Sequence, residues 1–205
     1  MDSVKYVSTF LVSICLLCQL QSQSKKTEFN ILFIGNSLTY TNNLPLLVKK
    51  QAKKLGITIN TKMIAEPNYT LPDHWHEGKA QKLIKSKTFD FLIVQQGPSS
   101  QAEGKQMLLE YGEKYSLLCK KNQVKLAYFM VWPSLQYYHT FEGVIKNHQL
   151  AAKANNAILC PVGDIWRKYF NTTNYYDYYG SDGFHPSKKG SEIAAKVIIE
   201  SLFGK

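Results

Sequence analysis

Apolar and polar positions along the chain fall into blocks of two kinds. Short, mainly apolar runs at 29–34, 89–94, 124–131 and 157–162 have the length of strands buried on both faces. The run at 57–64 alternates instead, Ile-Thr-Ile-Asn-Thr-Lys-Met-Ile, which predicts a half-exposed strand nearer an edge. Between these lie stretches with helical spacing at 44–55, 77–86, 103–121, 142–155 and 187–203. Pro45 suits the first turn of one helix and Gly56 follows its end. The strict strand–helix alternation predicts a single α/β domain over 25–205, with a five-stranded parallel sheet and helices on both faces. In such a sheet ligands gather at the carboxyl ends of the strands. The loops after positions 34, 64, 94 and 131, and the long segment 171–184, are rich in polar and aromatic residues, so function is expected there.

The N-terminus breaks the pattern. Residues 6–18 form one apolar run, too short to span a bilayer comfortably and of the length of a secretory leader. Ser22-Gln23-Ser24 offers small residues for cleavage, so a signal peptide over 1–24 and a secreted or periplasmic product are expected, with no membrane span after cleavage. A lipoprotein anchored at Cys15 or Cys18 ranks second, because Ile14 and Leu17 stand where a small residue is wanted. Cleavage would leave Cys119 and Cys160, which have no metal-ligand spacing and read as buried thiols. The formal charge of +10 comes from lysines scattered over amphipathic stretches; without a focused stripe and stacking aromatics, nucleic acid is not an expected partner.

Two segments carry candidate chemistry. In Ile31-Leu32-Phe33-Ile34-Gly35-Asn36-Ser37, a serine follows a buried strand and a glycine, where backbone amides are open to negative charge. In Asp182-Gly183-Phe184-His185-Pro186-Ser187, a carboxylate three residues before an imidazole can orient it as a general base, and Ser187 can cap the last helix. Alone, the first segment reads more readily as an ordinary turn or helix cap, and the second equally well as a polar turn with a capping Asp. Together, Gly35-Asn36-Ser37 near the start of the mature chain and Asp182-x-x-His185 near its end resemble the first and last blocks of the SGNH (GDSL-type) hydrolases, in a subgroup with Asn where the GDSL name has Asp. The resemblance implies a three-layer, flavodoxin-like α/β/α domain. It further implies a Ser37–His185–Asp182 triad hydrolysing carboxylic esters through an acyl-enzyme, without cofactor or metal. It also implies oxyanion donors: the amide of Ser37, the residue at the family's glycine position, for which Asn68 is the candidate, and a side chain after the third strand. The chain has Gln95-Gln96 where the family has asparagine, so Gln95 is expected to donate, with Gln96 as the alternative.

Asp73-His74-Trp75-His76 could suggest a metal, but a tetrahedral site wants more ligands, and a helix-start or substrate-loop role is expected instead. His139 and His148 read as surface residues. Trp132, Tyr137, Tyr138 and the tyrosines at 175, 176, 178 and 179 suit either loop packing or an aromatic wall. With family habit, that wall points to a small-molecule or carbohydrate ester, an O-acetyl ester of a sugar above all. A non-catalytic carbohydrate-binding relative is the alternative. A flavin or nucleotide binder is disfavoured, since no glycine-rich phosphate loop follows the first strand.

Overall fold

The structure is a computed structural model that describes residues 27–86 and 88–204. The predicted leader, residues 1–24, lies outside the described residues. The chain runs β1 (Glu28–Gly35), α1 (Ser37–Tyr40), α2 (Leu44–Lys53), β2 (Thr58–Ala65), α3 (Leu71–Glu77), α4 (Lys79–Ser86), β3 (Phe91–Val94) and α5 (Ala102–Lys121). It continues through β4 (Lys125–Phe129), α6 (Phe141–Ala154), β5 (Ile158–Cys160), α7 (Val162–Thr173) and α8 (Lys188–Phe203). Short 3-10 turns lie at Thr41–Asn43 and Leu135–Thr140. All strand pairs are parallel and the order is β2-β1-β3-β4-β5, the flavodoxin-like arrangement.

Strand alternation builds two cores. Ile31 and Phe33 of β1, Phe91 and Ile93 of β3, and Ala127 and Phe129 of β4 pack to one side with α2, α7 and α8. Leu32, Ile34, Leu92, Val94, Leu126 and Tyr128 point to the other side and meet α3, α4 and α5. Period-two alternation of continuous apolar runs therefore fills both faces, giving the three layers. β2 at the edge is exposed at alternate residues along its first half, as its pattern predicts. In α2, Leu44, Val48 and Ala52 form the buried stripe at four-residue spacing.

The structure adds helices that periodicity did not reveal. The helix predicted at 77–86 is α4, and a further helix, α3, precedes it, the two divided at Gly78, whose φ of 75° only glycine adopts cheaply. The earlier one, α3, starts on a capping box in which Thr70 and Asp73 exchange hydrogen bonds. The segment after β5 is the helix α7, with Trp166 and Phe170 inward. Cys119 and Cys160 are buried free thiols on opposite sides of the sheet.

Candidate active site

The strand order reverses at β1, whose neighbours β2 and β3 lead away on either side, and a crevice opens outside the carboxyl ends at such a point. Ser37 stands there, one residue beyond Asn36 at the end of β1 and at the first position of α1. Asn36 caps that short helix, its side-chain oxygen accepting from Leu38 N at 3.1 Å. Its side-chain amide donates to Tyr69 O at 3.0 Å, tying the turn to the loop after β2. Gly35 is required by space: a Cβ there would run into Thr39 Oγ1 and Gln95 Oε1. Ser37 is half-buried and its hydroxyl makes no hydrogen bond among the described residues.

The second half of the site is a loop before α8. Asp182 Oδ2 accepts from His185 Nδ1 at 2.6 Å, and its other oxygen accepts from the backbone N–H groups of Phe184 and His185, both at 2.9 Å. The imidazole beside it, followed by the Phe184 and His185 amides, holds the Asp182 carboxyl below the usual carboxylate range. Because a carboxylate only accepts, Nδ1 carries the proton and Nε2 is left as the basic nitrogen. Gly183, at φ 67°, lets the loop turn back sharply enough for one carboxylate to reach three N–H groups. The backbone is pinned on both sides: Gly180 N donates to His185 O at 2.7 Å, Ser187 N to Tyr178 O at 2.9 Å, and Leu135 N to Gly183 O at 2.9 Å. Trp132 Nε1 donates to Phe184 O at 3.0 Å.

Asn42 joins the two halves. It lies five residues after Ser37, and its side-chain amide donates to Pro186 O and to Ser191 Oγ, each at 3.0 Å. A groove of about 620 Å³ flanks the Asp182 side, lined by Ser100, Gln101, Ser134, Gln136, Tyr137 and Thr140 among others. Two larger hollows, along α5 and the end of α6, touch none of the candidate residues.

The two residues after β3 are buried. Side chains alternate at the strand end, so Gln95 and Gln96 point to opposite layers. The Gln95 oxygen accepts from Asn36 N at 2.9 Å and from Thr39 Oγ1 at 2.7 Å. Its amide nitrogen is buried without a partner among the described residues, and the residue is only 1% exposed. Gln96 faces the other layer, accepting from Leu71 N at 3.2 Å and donating to Ser99 Oγ at 2.9 Å. Gln96 is 3% exposed, so both carboxamides are buried and bonded within the protein. Asn68 is exposed at φ 61°, the left-handed conformation that suggested it, and its N–H makes no hydrogen bond among the described residues.

The histidines divide as well. His74 is 1% exposed and its Nε2 lies 2.8 Å from Gly35 O, directly under the turn. Burial pushes its pKa below the ordinary histidine range. Sequence reasoning placed it in the helix-start region but missed this contact; the buried Leu71 three residues earlier marks the inward face of α3. His148, expected at the surface, is buried in α6 because its helical face packs inward, and its Nδ1 donates to Val144 O at 2.8 Å. The aromatic residues also separate. Trp132 stacks on Trp166 at 3.4 Å between ring centres and is buried, as are Tyr178 and Tyr179. Tyr137, 55% exposed, Tyr175 and Tyr176 reach solvent.

No family model matches the sequence, and no curated protein does. Solved structures do. A protein assigned as an SGNH hydrolase from Slackia heliotrinireducens superposes with a TM-score of 0.73 at 20% identity, over 85% of this chain and 99% of that one. A lipase/acylhydrolase from Enterococcus faecalis gives 0.66 at 17%, over 86% and 96%. A variant of an acetyl-xylooligosaccharide esterase from Geobacillus gives 0.63 at 16%, over 87% and 96%. The strand order, the crevice and these superpositions agree: the chain has the fold of the SGNH hydrolases.

Proposed function

We propose that the protein is a serine hydrolase of carboxylic esters in which Ser37 attacks, His185 moves the proton and Asp182 orients His185. The observation that carries this reading is the Asp182–His185 hydrogen bond, on a loop that Asn42 fastens to the segment carrying Ser37. His185 Nε2 takes the Ser37 proton as the hydroxyl oxygen bonds to the ester carbonyl. The resulting oxyanion is held by backbone N–H groups, those of Ser37 and Asn68. Collapse releases the alcohol, which receives the proton from His185, and leaves an acyl ester on Ser37. Water, deprotonated by His185, attacks that ester; the acid leaves and Ser37 regains its proton.

The narrower reading is an O-acetyl ester of a carbohydrate. The groove beside Asp182 combines hydroxyl and amide groups with Pro98, Pro133, Phe184 and the exposed ring of Tyr137, a mixture that can meet both the hydroxyls and the apolar face of a sugar. One of the similar structures is an acetyl-xylooligosaccharide esterase. Export, with cleavage near Ser24, completes the reading, and the mass of the mature N-terminus tests it. Among the described residues no helix is long and apolar enough to cross a membrane.

The test of the chemistry is hydrolysis of p-nitrophenyl acetate and of acetylated xylo-oligosaccharides. Ser37→Ala and His185→Ala are each expected to lower turnover by at least about 10³-fold. Undiminished turnover in Ser37→Ala sinks the reading. A wild-type chain that binds sugars and turns over no ester in the panel points to the non-catalytic relative.

A further inference from the structure

We propose that His74 and Gln95 form a two-sided clamp on the Gly35–Asn36 peptide, and that this clamp aims Ser37; the inference rests on the reading of Ser37 as nucleophile. A peptide unit is planar, so gripping its carbonyl and its N–H fixes the orientation of the whole plane. Both ends are gripped here by buried side chains. On the carbonyl side, His74 Nε2 meets Gly35 O at 2.8 Å, beside a longer bond from Glu66 N at 3.2 Å. A carbonyl only accepts, so His74 is the tautomer that carries its proton on Nε2. On the other side, Asn36 N donates to Gln95 Oε1 at 2.9 Å. The same oxygen receives the Thr39 hydroxyl from within α1 at 2.7 Å, so Gln95 grips the turn both before and after Ser37.

The two residues come from different layers, His74 from α3 and Gln95 from the end of β3, and they converge on one peptide. The arrangement is costly. His74 Nδ1 and Gln95 Nε2 are both buried without hydrogen-bond partners among the described residues. A buried polar atom in that condition is destabilising, whereas an apolar pair of similar shape would carry no such cost. Neither residue reaches the crevice, so both act through Ser37 and are positioning residues. What they hold steady is the direction of the Ser37 N–H, an oxyanion donor, and the Ser37 hydroxyl beyond it. An error of about 1 Å in such a group can cost about 10²-fold in rate.

The test uses the mature chain, p-nitrophenyl acetate as substrate, and a fluorophosphonate to count reactive serines, so that kcat is expressed per titrated site. His74→Leu and Gln95→Met are each expected to lower kcat per site by about ten- to a hundredfold, with KM within about twofold. His74→Gln keeps a side-chain N–H donor of similar reach and is expected to restore kcat to within about threefold of the parent. Because both residues grip one peptide, the double variant should lose little more than either single variant. A residue that served stability alone would reduce the number of titratable sites and leave kcat per site unchanged, which overturns the clamp. Equal losses in His74→Gln and His74→Leu, or fully additive losses in the double variant, overturn it as well. If His74→Leu does not fold, Gln95→Met with Thr39→Val carries the same comparison, and unchanged kcat per site in both is the overturning result. Failure of the clamp leaves Ser37→Ala inactive, whereas failure of the proposed function leaves Ser37→Ala active.

Discussion

The two halves of the site are built by opposite means. The Asp182–His185 pair is oriented from within its own loop: one carboxylate takes three N–H groups within three residues, the distant Leu135, Trp132 and Asn42 reach only backbone carbonyls of the loop, and the pair stays substantially exposed. The Ser37 turn is buried on every side but its own, and its bonds reach across the sequence to Gln95, His74 and Tyr69. In the proposed mechanism His185 must reorient slightly as it passes a proton, and a locally oriented pair permits that. In the same mechanism the Ser37 amide also serves the oxyanion, so Ser37 has to be fixed, and that takes bracing from the rigid sheet.

The sharpest break of the comparison is Asp182→Asn. It keeps the size of the side chain but no longer forces the proton onto His185 Nδ1, so kcat is expected to fall by about 10³–10⁴-fold with the melting temperature little changed. The small structural cost follows from exposure: hydrogen bonds at an open surface add little to stability. Gly35→Ala is the counterpart on the buried side. Its methyl would displace Thr39 and Gln95, so activity and stability should fall together, with a stability loss of about 1–3 kcal/mol in denaturant unfolding. A Gly35→Ala protein of parental stability and reduced kcat would show that the turn is not tied to the core.

This difference also decides how much could be read from the sequence. Both cores and the five strands were legible, since four mainly apolar runs and one alternating run of strand length admit few other readings. Asp182 and His185 were legible because their bond closes within one loop. Gln95 was visible as the polar residue that ends β3, but its direction was not. Alternation sends it to one face or the other, and which helix covers that face is a fact of tertiary packing. His74 was harder, because α3 owes its existence to a capping box that begins five residues after the edge strand β2 and has too few turns to show a period.

His148 supplies a control that belongs to neither half. It is fully buried, and burial pulls its pKa down to about 4. An unfolded chain takes up that proton near pH 6.5 and the folded chain only near 4, so the unfolded state binds more protons across this window. Stability is therefore undiminished above about pH 6.5 and falls as pH drops toward 4, by about 3 kcal/mol from this group. The slope of unfolding free energy against pH in urea titrations should flatten in His148→Leu. If the slope stays as steep, other groups govern acid sensitivity, and losses of activity at low pH cannot be charged to this site.

The finest test concerns the link between the halves. Asn42 sits at φ 56° and ties the segment after Ser37 to Pro186 and to Ser191. Asn42→Ala would confuse the loss of those bonds with the strain of a left-handed alanine, so glycine is the informative replacement. Asn42→Gly removes the amide, leaves the backbone at ease and spares the bonds that brace the Ser37 turn and the Asp182–His185 pair. If each half is rigid and only their separation depends on Asn42, kcat should drop by about threefold to tenfold, the equivalent of one or two ordinary hydrogen bonds. Titration of Ser37 by a fluorophosphonate would slow by the same factor, since it uses the same base, while the Asp182–His185 proton signal in NMR would stay in place. A shift of that signal would mean that Asn42 braces the loop itself, and the loop would then depend on distant contacts just as the turn does.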